Sequence, residues 1–257
     1  MSLPSLDWII ALAQQAGELI RRERHHLNCN YKHQTELVTQ ADVAADGMIH
    51  AALSNSFPSH AILSEELAPS ATTEHEFLWV IDPIDGTVNY AHGHPQVAVS
   101  IALYHHGNAV LGVVHNPFLQ ETFAAQAGRG AWLNRERIQC AATDDLRRAI
   151  IATGFPYHKD DVPTLMVRLQ QVLSHCADIR RLGSAALDIC WVACGRLDGY
   201  YESVKPWDFA AARLIAIEAG AKAGHYVEPP AGNPQLCGEH LLVSTPALYS
   251  QLHNLLR

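Results

Sequence analysis

The sequence predicts an α+β amino-terminal half followed by an α/β carboxy-terminal half. Three observations predict it. Apolar residues near the start fall at helical spacing, the middle of the chain alternates short apolar runs with hairpin signals, and the last hundred or so residues alternate apolar runs with helical stretches. At 257 residues the chain can form one large domain or two smaller ones sharing an interface. The rhythm changes near residues 140–148, which divides the chain into residues 1–145 and 146–257.

The elements follow in order. Leu6, Ile9, Ile10, Ala13, Ala16, Leu19 and Ile20 mark one face of a helix over residues 5–26. Thr39 is a capping residue type for a second helix running to about residue 54, with Val43, Ile49, Ala52 and Leu53 inward. Ala61, Ile62 and Leu63 form a strand that ends at Glu65 and Glu66, and residues 78–81 form a buried strand. Residues 97–103 and 109–114 flank a hairpin turn that contains His105, His106, Gly107 and Asn108. Residues 121–125 and 131–133 flank a second turn at Gly128-Arg129-Gly130. This half reads as two helices on a largely antiparallel sheet. In the second half, strands are expected at 149–152, 178–182, 198–202, 221–227 and 241–244. Helices are expected at 162–173, 184–194, 208–219 and 246–256, with Gly195 and Gly220 as stops. Residues 228–238, rich in proline and glycine, read as a surface loop.

Composition narrows the function. The chain has 48% hydrophobic and 17% charged residues and a formal charge of −8. An acidic chain repels a phosphate backbone, so direct nucleic-acid binding is not expected. No stretch reaches the ~18–20 apolar residues of a membrane span, and the first residues read as an amphipathic helix rather than an export signal. The six cysteines form no close-spaced metal or redox pattern, which fits reduced thiols and a cytoplasmic location.

The chemistry concentrates in Asp82-Pro83-Ile84-Asp85-Gly86-Thr87. Pro83 biases Asp82 toward an extended backbone, and a tight turn would bring Asp82 and Asp85 to one point together with the Ile84 carbonyl. Two carboxylates ~4 Å apart repel by about 4 kcal/mol at an effective dielectric of 20. Such a pair wants a divalent cation, and an all-oxygen set favours Mg²⁺, Mn²⁺ or Ca²⁺ over zinc. Gly86 allows close backbone approach, and the amides of Gly86 and Thr87 can serve a phosphate. Alone, this segment reads equally as a turn linking strand to helix. Glu65 and Glu66 at a strand end, Asp42 in the first turn of a helix and Asp208 at a helix start change that balance. Each has a local explanation as a cap or dipole partner, yet together they put acids at the ends of separate elements.

At this point the residues resemble the inositol monophosphatase family. Asp82-Pro83-Ile84-Asp85-Gly86-Thr87 is similar to its first signature, and Trp207-Asp208-Phe209-Ala210-Ala211 through Glu218-Ala219-Gly220 to its second. Glu65-Glu66, Leu37-Val38-Thr39-Gln40-Ala41-Asp42 and Arg181-Leu182-Gly183-Ser184-Ala185-Ala186 match as well, from about residue 6 to about residue 250. The resemblance implies a layered αβαβα sandwich of the sugar-phosphatase type, two to three Mg²⁺ ions, lithium sensitivity and a homodimer. It implies that Glu65, Asp82, Asp85, Asp208 and the Ile84 carbonyl bind metal, with Asp82 bridging two ions and Glu65 serving a third. It implies that Asp42, Thr87 and Glu65 are catalytic, the first two positioning the attacking water. It further implies that Gly86 and Thr87 hold phosphate oxygens, while Asp85, Ala185 and Glu202 face the alcohol of the substrate. Two departures stand out. Glu202 lies six residues before Asp208 where the family has seven, and Gly220 is followed by Ala221 where the family has a second glycine.

The expected activity is Mg²⁺-dependent hydrolysis of a small phosphorylated substrate by metal-activated water, as in a phosphoric monoester hydrolase. Asn89-Tyr90 after Thr87 resembles the branch that cleaves myo-inositol 1-phosphate and similar polyol phosphates. Fructose 1,6-bisphosphate, NADP and histidinol phosphate are the rival substrates. A different class is a regulatory interaction role in RNA-related processes through protein partners; Arg180, Arg181 and Arg196 could make a local basic face for it, though ordinary surface and interface salt bridges are the favoured explanation of those arginines.

Overall fold

Ser5 opens helix α1 (Leu6–Glu23) by accepting the Trp8 amide at 3.2 Å, and Ile9, Leu12, Ala13, Ala16 and Ile20 turn its apolar face inward. The computed structural model describes residues 3–26, 29–32, 36–155 and 162–257. A hairpin of β1 (Cys29–Lys32) and β2 (Glu36–Thr39) follows; its polar residues carry no alternating pattern, and sequence reading did not anticipate it. Helix α2 is Gln40–Ser56. Its buried face is Ala41, Asp42, Ala45, Asp46, Ile49 and Leu53, whereas Val43 is 47% exposed, contrary to expectation. The helical period decides this: Asp42, Asp46, Ile49 and Leu53 share one side, and both acids have partners that make their burial tolerable.

Strands β3 (Ala61–Ser64), β4 (Phe77–Asp85), β5 (Ala98–His105), β6 (Asn108–Asn116), β7 (Glu121–Gln126), β8 (Gly130–Leu133) and β9 (Glu136–Ile138) lie side by side in that order. Only the β3–β4 pair in this sheet is parallel. The short helix α3 (Thr87–His92) follows β4. A second sheet has the order β11-β10-β12-β14-β13, from β10 (Ile150–Thr153), β11 (Asp178–Arg180), β12 (Gly199–Glu202), β13 (Lys222–His225) and β14 (Leu241–Ser244). β10, β11 and β12 are mutually parallel and β14 runs antiparallel to its neighbours, so this half is mixed. β11 and β13 are shorter than the apolar pattern suggested.

Helices α5 (Ala185–Ala193) and α6 (Pro206–Glu218) pack on the first sheet and against the second. Both are buried almost all round, which a helix layer between two sheets requires. α1 and α2 cover the outer face of the first sheet, and α4 (Val162–Leu173) and α7 (Pro246–Leu256) pack together beside the second. The result is the expected αβαβα sandwich. Its largest apolar cluster joins Val80, Ala102, Val114 and Phe123 of the first sheet to Ile189, Phe209 and Ile215 of the middle layer and Tyr200 and Val243 of the second. Among the described residues no helix is long and apolar enough to cross a membrane.

Candidate active site

Strand β4 is buried along its whole length and does not turn after Ile81; it continues through Pro83 to Asp85. Asp82 pairs with Ser100 and Asp85 with Ala98, so three steps on β4 are matched by two on β5. That extra residue is a bulge. In a regular strand, side chains three apart point to opposite faces; one inserted residue returns Asp85 to the side of Asp82. The expected tight turn is thus a bulged strand end, and Pro83 fits there because a bulge needs no ladder donor. The Ile84 amide donates to Asp82 Oδ1 at 2.9 Å, closing the local loop.

Carboxylate oxygens of Asp82, Asp85 and Asp208 lie within 4.8 Å of one another. Asp208 comes from the first turn of α6, at its third residue rather than its cap, and Oδ2 accepts the Lys205 amide at 2.7 Å. Asp42 holds the same position in α2, its Oδ2 accepting the Thr39 amide at 2.9 Å and hydroxyl at 2.5 Å. Thr87 Oγ1 stands 3.1 Å from Asp42 Oδ1 and 3.1 Å from the Ile84 carbonyl oxygen, so its one proton is directed to either. Asp85 is the acceptor that starts α5: Ser184 Oγ donates at 2.5 Å, and the amides of Ala186 and Ala185 at 2.8 and 3.3 Å. Gly86 has φ +93°, and a Cβ there would sit 2.8 Å from the Gln96 carbonyl and 3.0 Å from that of Gly183.

Electrostatics tie the remaining acids to this point. Burial, then the charges of Glu65, Asp85, Asp208 and Asp42, push the Asp82 carboxyl well above the usual range. Burial raises Asp208 to about 8, with Asp85 next in effect. It raises Asp85 only to about 6, because the donors from Ser184, Ala186 and Ala185 favour the anion. Asp42 is raised by burial against the bonds from Thr39 and Thr87. Glu65, just past β3, acts on Asp82 through its charge, and its amide donates to the Ile81 carbonyl at 3.3 Å. Glu202 ends β12 and accepts the Tyr200 hydroxyl at 2.6 Å. Burial lifts it to about 7, and it feels both Arg181 and Asp85. With its six-residue spacing, the Glu202 carboxylate fills the space beside Gly154, near enough to the cluster to feel the charge of Asp85. Gly220 has φ +91° while Ala221 is not in the left-handed region, so the missing second glycine has no backbone consequence.

Two residues escaped sequence reading. Asp46 Oδ2 accepts the Glu66 and Leu67 amides at 3.1 and 2.9 Å and so holds the loop that carries Glu65; its position one turn after Asp42 was the available signal. Asp188 is buried in α5, and burial followed by the charges of Asp85 and Glu202 raises its carboxyl well above the usual range. An acid inside an otherwise apolar helix was the signal there. The arginines make salt bridges, as the favoured explanation has it: Arg180 pairs with Asp178 at 2.5 Å and Arg196 with Glu121 at 2.6 Å, while Arg181 acts on Asp85 and Glu202.

Such a cluster fits a hard divalent cation: it is all oxygen and mutually repelling, with Asp82 and Asp85 buried and Asp208 partly so. It also predicts how the metal-free protein responds to pH. Asp208 and Glu202 have folded values above the ~3.9 and ~4.3 of unfolded carboxyls, so the stability tied to them is complete at low pH and is lost as pH rises through about 7 and about 8. His115, pushed down by burial to about 4, and His60, also lowered by burial, slope the other way, an effect that fades above the ordinary imidazole value of ~6.5. Between about pH 6.5 and 8.5 the raised carboxyls outweigh these imidazoles. The Tm of chelator-treated protein is expected to fall over that window, and added Mg²⁺ to raise Tm most at its upper end. A flat or rising Tm without Mg²⁺ contradicts this electrostatic picture.

The inositol monophosphatase family model matches residues 4–255. The chain is 37% identical over 256 residues to the Nus factor SuhB of Pasteurella multocida, a match covering 98% of this chain and 95% of the relative. Among solved structures, extragenic suppressor protein SuhB from Bartonella henselae superposes with a TM-score of 0.89 at 34% identity, covering 97% of this chain and 96% of that one. An inositol monophosphatase from Anabaena superposes with a TM-score of 0.86 at 34% identity, covering 98% and 94%.

Proposed function

The chain belongs to the inositol monophosphatase family, and from that premise we propose that it is a Mg²⁺-dependent phosphomonoesterase acting on myo-inositol 1-phosphate and similar polyol phosphates. The observation that carries the reading is the meeting of Asp82 and Asp85 from one strand end with Asp208 from a distant helix start. Asp82, Asp85, Asp208, Glu65 and the Ile84 carbonyl would hold two to three ions. Bound there, Mg²⁺ supplies Lewis acidity toward a phosphoryl oxygen and makes a coordinated water more acidic.

The protein's own groups do the rest. Thr87 donates its proton to Asp42 and so turns a hydroxyl lone pair toward the water to be deprotonated. Asp42 is anchored by Thr39 through Oδ2, which leaves Oδ1 to take that proton. Gly86 and Thr87 present backbone amides to the phosphate, on a backbone whose left-handed turn and close carbonyls require glycine at 86. Asp85, Ala185 and Glu202 line the alcohol side. Glu202, raised to about 7, can be present there in either protonation state near neutrality and can donate to or accept from a substrate hydroxyl. No cysteine or histidine nucleophile is needed. The same reading expects a cytoplasmic homodimer inhibited by lithium.

Relatives 37–40% identical to the chain carry the name Nus factor SuhB, which favours a second reading: a partner role in RNA-related processes. One panel separates the two. Phosphate release is measured with and without Mg²⁺ for inositol 1-phosphate, fructose 1,6-bisphosphate, NADP and histidinol phosphate. The first reading expects Mg²⁺-dependent release with inositol 1-phosphate ahead by kcat/KM. If that compound ranks last, the substrate assignment is wrong; if no compound is cleaved faster with Mg²⁺ than without, the partner role stands instead.

A further inference from the structure

A second group of metal-ligating side chains sits at the opposite end of β4 from the acids. The strand runs from Phe77 to Asp85, so at ~3.3 Å per residue its ends are roughly 25 Å apart. Glu76 precedes it, His105 ends β5 opposite Phe77, and His106 begins the turn into β6. One ligand atom from each of Glu76, His105 and His106 lies within 4.8 Å of the others.

Consecutive residues of a strand send their side chains to opposite faces. His106 breaks that rule. Its φ is +49°, in the left-handed region, and the two imidazole centroids come to 4.3 Å. The geometry is braced on several sides. The His106 amide donates to the Glu76 carbonyl at 2.8 Å, Asn108 Nδ2 to the His106 carbonyl at 3.1 Å, and Asn233 Nδ2 to the Gly107 carbonyl at 2.8 Å. The His105 ring stacks on Phe77 at 4.4 Å, and its Nε2 is 3.9 Å from Glu76 Oε1. Glu76 and His106 are exposed and His105 partly so, leaving the group open to an ion from solvent.

We propose that Glu76, His105 and His106 form a site for a transition-metal dication, Zn²⁺ in the first place, separate from the carboxylate cluster. Two imidazoles and one carboxylate suit Zn²⁺, whereas Mg²⁺ prefers oxygen alone. Zinc bonds of ~2.0–2.2 Å place tetrahedral ligands roughly 3.4 Å apart, which small rotations of these solvent-facing side chains reach. Three protein ligands leave a fourth position for water or a donor from another molecule.

The test is calorimetric titration with Zn²⁺ at neutral pH in millimolar Mg²⁺. It compares the unmodified protein, the double variant Glu76→Gln/His106→Asn and, separately, Asp82→Asn. Asparagine tolerates the left-handed backbone at 106, so the turn survives, which circular dichroism and unchanged Tm without zinc verify. The unmodified protein and Asp82→Asn are expected to bind one Zn²⁺ that the double variant binds more than ~10-fold more weakly, since losing a ligand costs at least as much as losing an outer partner. Co²⁺ in place of Zn²⁺ gives the same equivalent a four-coordinate absorption band that the double variant lacks. Unchanged Zn²⁺ affinity in the double variant, loss of the equivalent in Asp82→Asn, or no such equivalent in the unmodified protein each overturns the assignment.

Discussion

Asp85→Asn is expected to lower kcat by at least ~100-fold, on the order of 3 kcal/mol of transition-state stabilisation, while the protein stays folded. Asp85 does two jobs with one side chain. It contributes an oxygen to the carboxylate cluster, and it accepts the Ser184 hydroxyl and the Ala185 and Ala186 amides that begin α5. The amide substitute keeps the shape but halves the acceptor capacity, and one backbone donor loses its partner, about 1 kcal/mol. Removing a negative charge beside Asp82 and Asp208 offsets part of that loss. Without Mg²⁺ the variant should therefore melt close to the unmodified protein, whereas the rise in Tm on adding Mg²⁺ should largely vanish. The measurements are phosphate release under saturating substrate and melting with and without Mg²⁺. Near-normal turnover in the folded variant would refute the placement of Asp85 in the catalytic cluster.

Gly86→Ala is expected to cost both stability and rate. At φ +93° a side chain is strained whatever the space, and here the added carbon would also meet two backbone carbonyls, those of Gln96 and Gly183, at 2.8 and 3.0 Å. Backbone oxygens cannot swing aside as a side-chain end can. Strain of this kind costs about 1–3 kcal/mol. The segment that must shift joins Asp85 to Thr87, and a displacement of ~1 Å in a positioning element can cost ~100-fold in rate. The expected result is a lower denaturation midpoint together with a fall in kcat/KM of that order. Wild-type kcat/KM in this variant would mean that the backbone between Asp85 and Thr87 does not position the reacting groups.

The candidate acids of the site were visible in the sequence because each stands beside an apolar run or in the first turn of a helix. Asp82 closes an apolar run, Glu65 follows another, and Asp42 and Asp208 fall in the first turns of helices. Helix starts are written locally, in Thr39 before α2 and in the residues around Asp208, although α6 begins two residues earlier than expected, at Pro206. The two sheets, one largely antiparallel and one mixed, were equally legible from the change between hairpins and alternating strand and helix. The β1–β2 hairpin was not, because its residues lack the period-two apolar pattern that betrays a half-buried strand. Val43 was misplaced for a related reason. Hydrophobicity pointed it inward, but Asp42 and Asp46 won that face through their hydrogen bonds to Thr39, Thr87, Glu66 and Leu67.

By itself the sequence determined which residues are candidates for the chemistry, the class of cation they suit and the order of most elements, since these depend on residue type and on contacts within a few positions. What the tertiary structure alone decided is how Asp82 and Asp85 come to share a side, through a bulge defined by β5, and that the Glu202 carboxyl feels the charge of Asp85. It also brought His105 and His106 onto one point with Glu76. Register between strands and the meeting of distant elements are set by partners far along the chain, and a local pattern of residues holds no record of them.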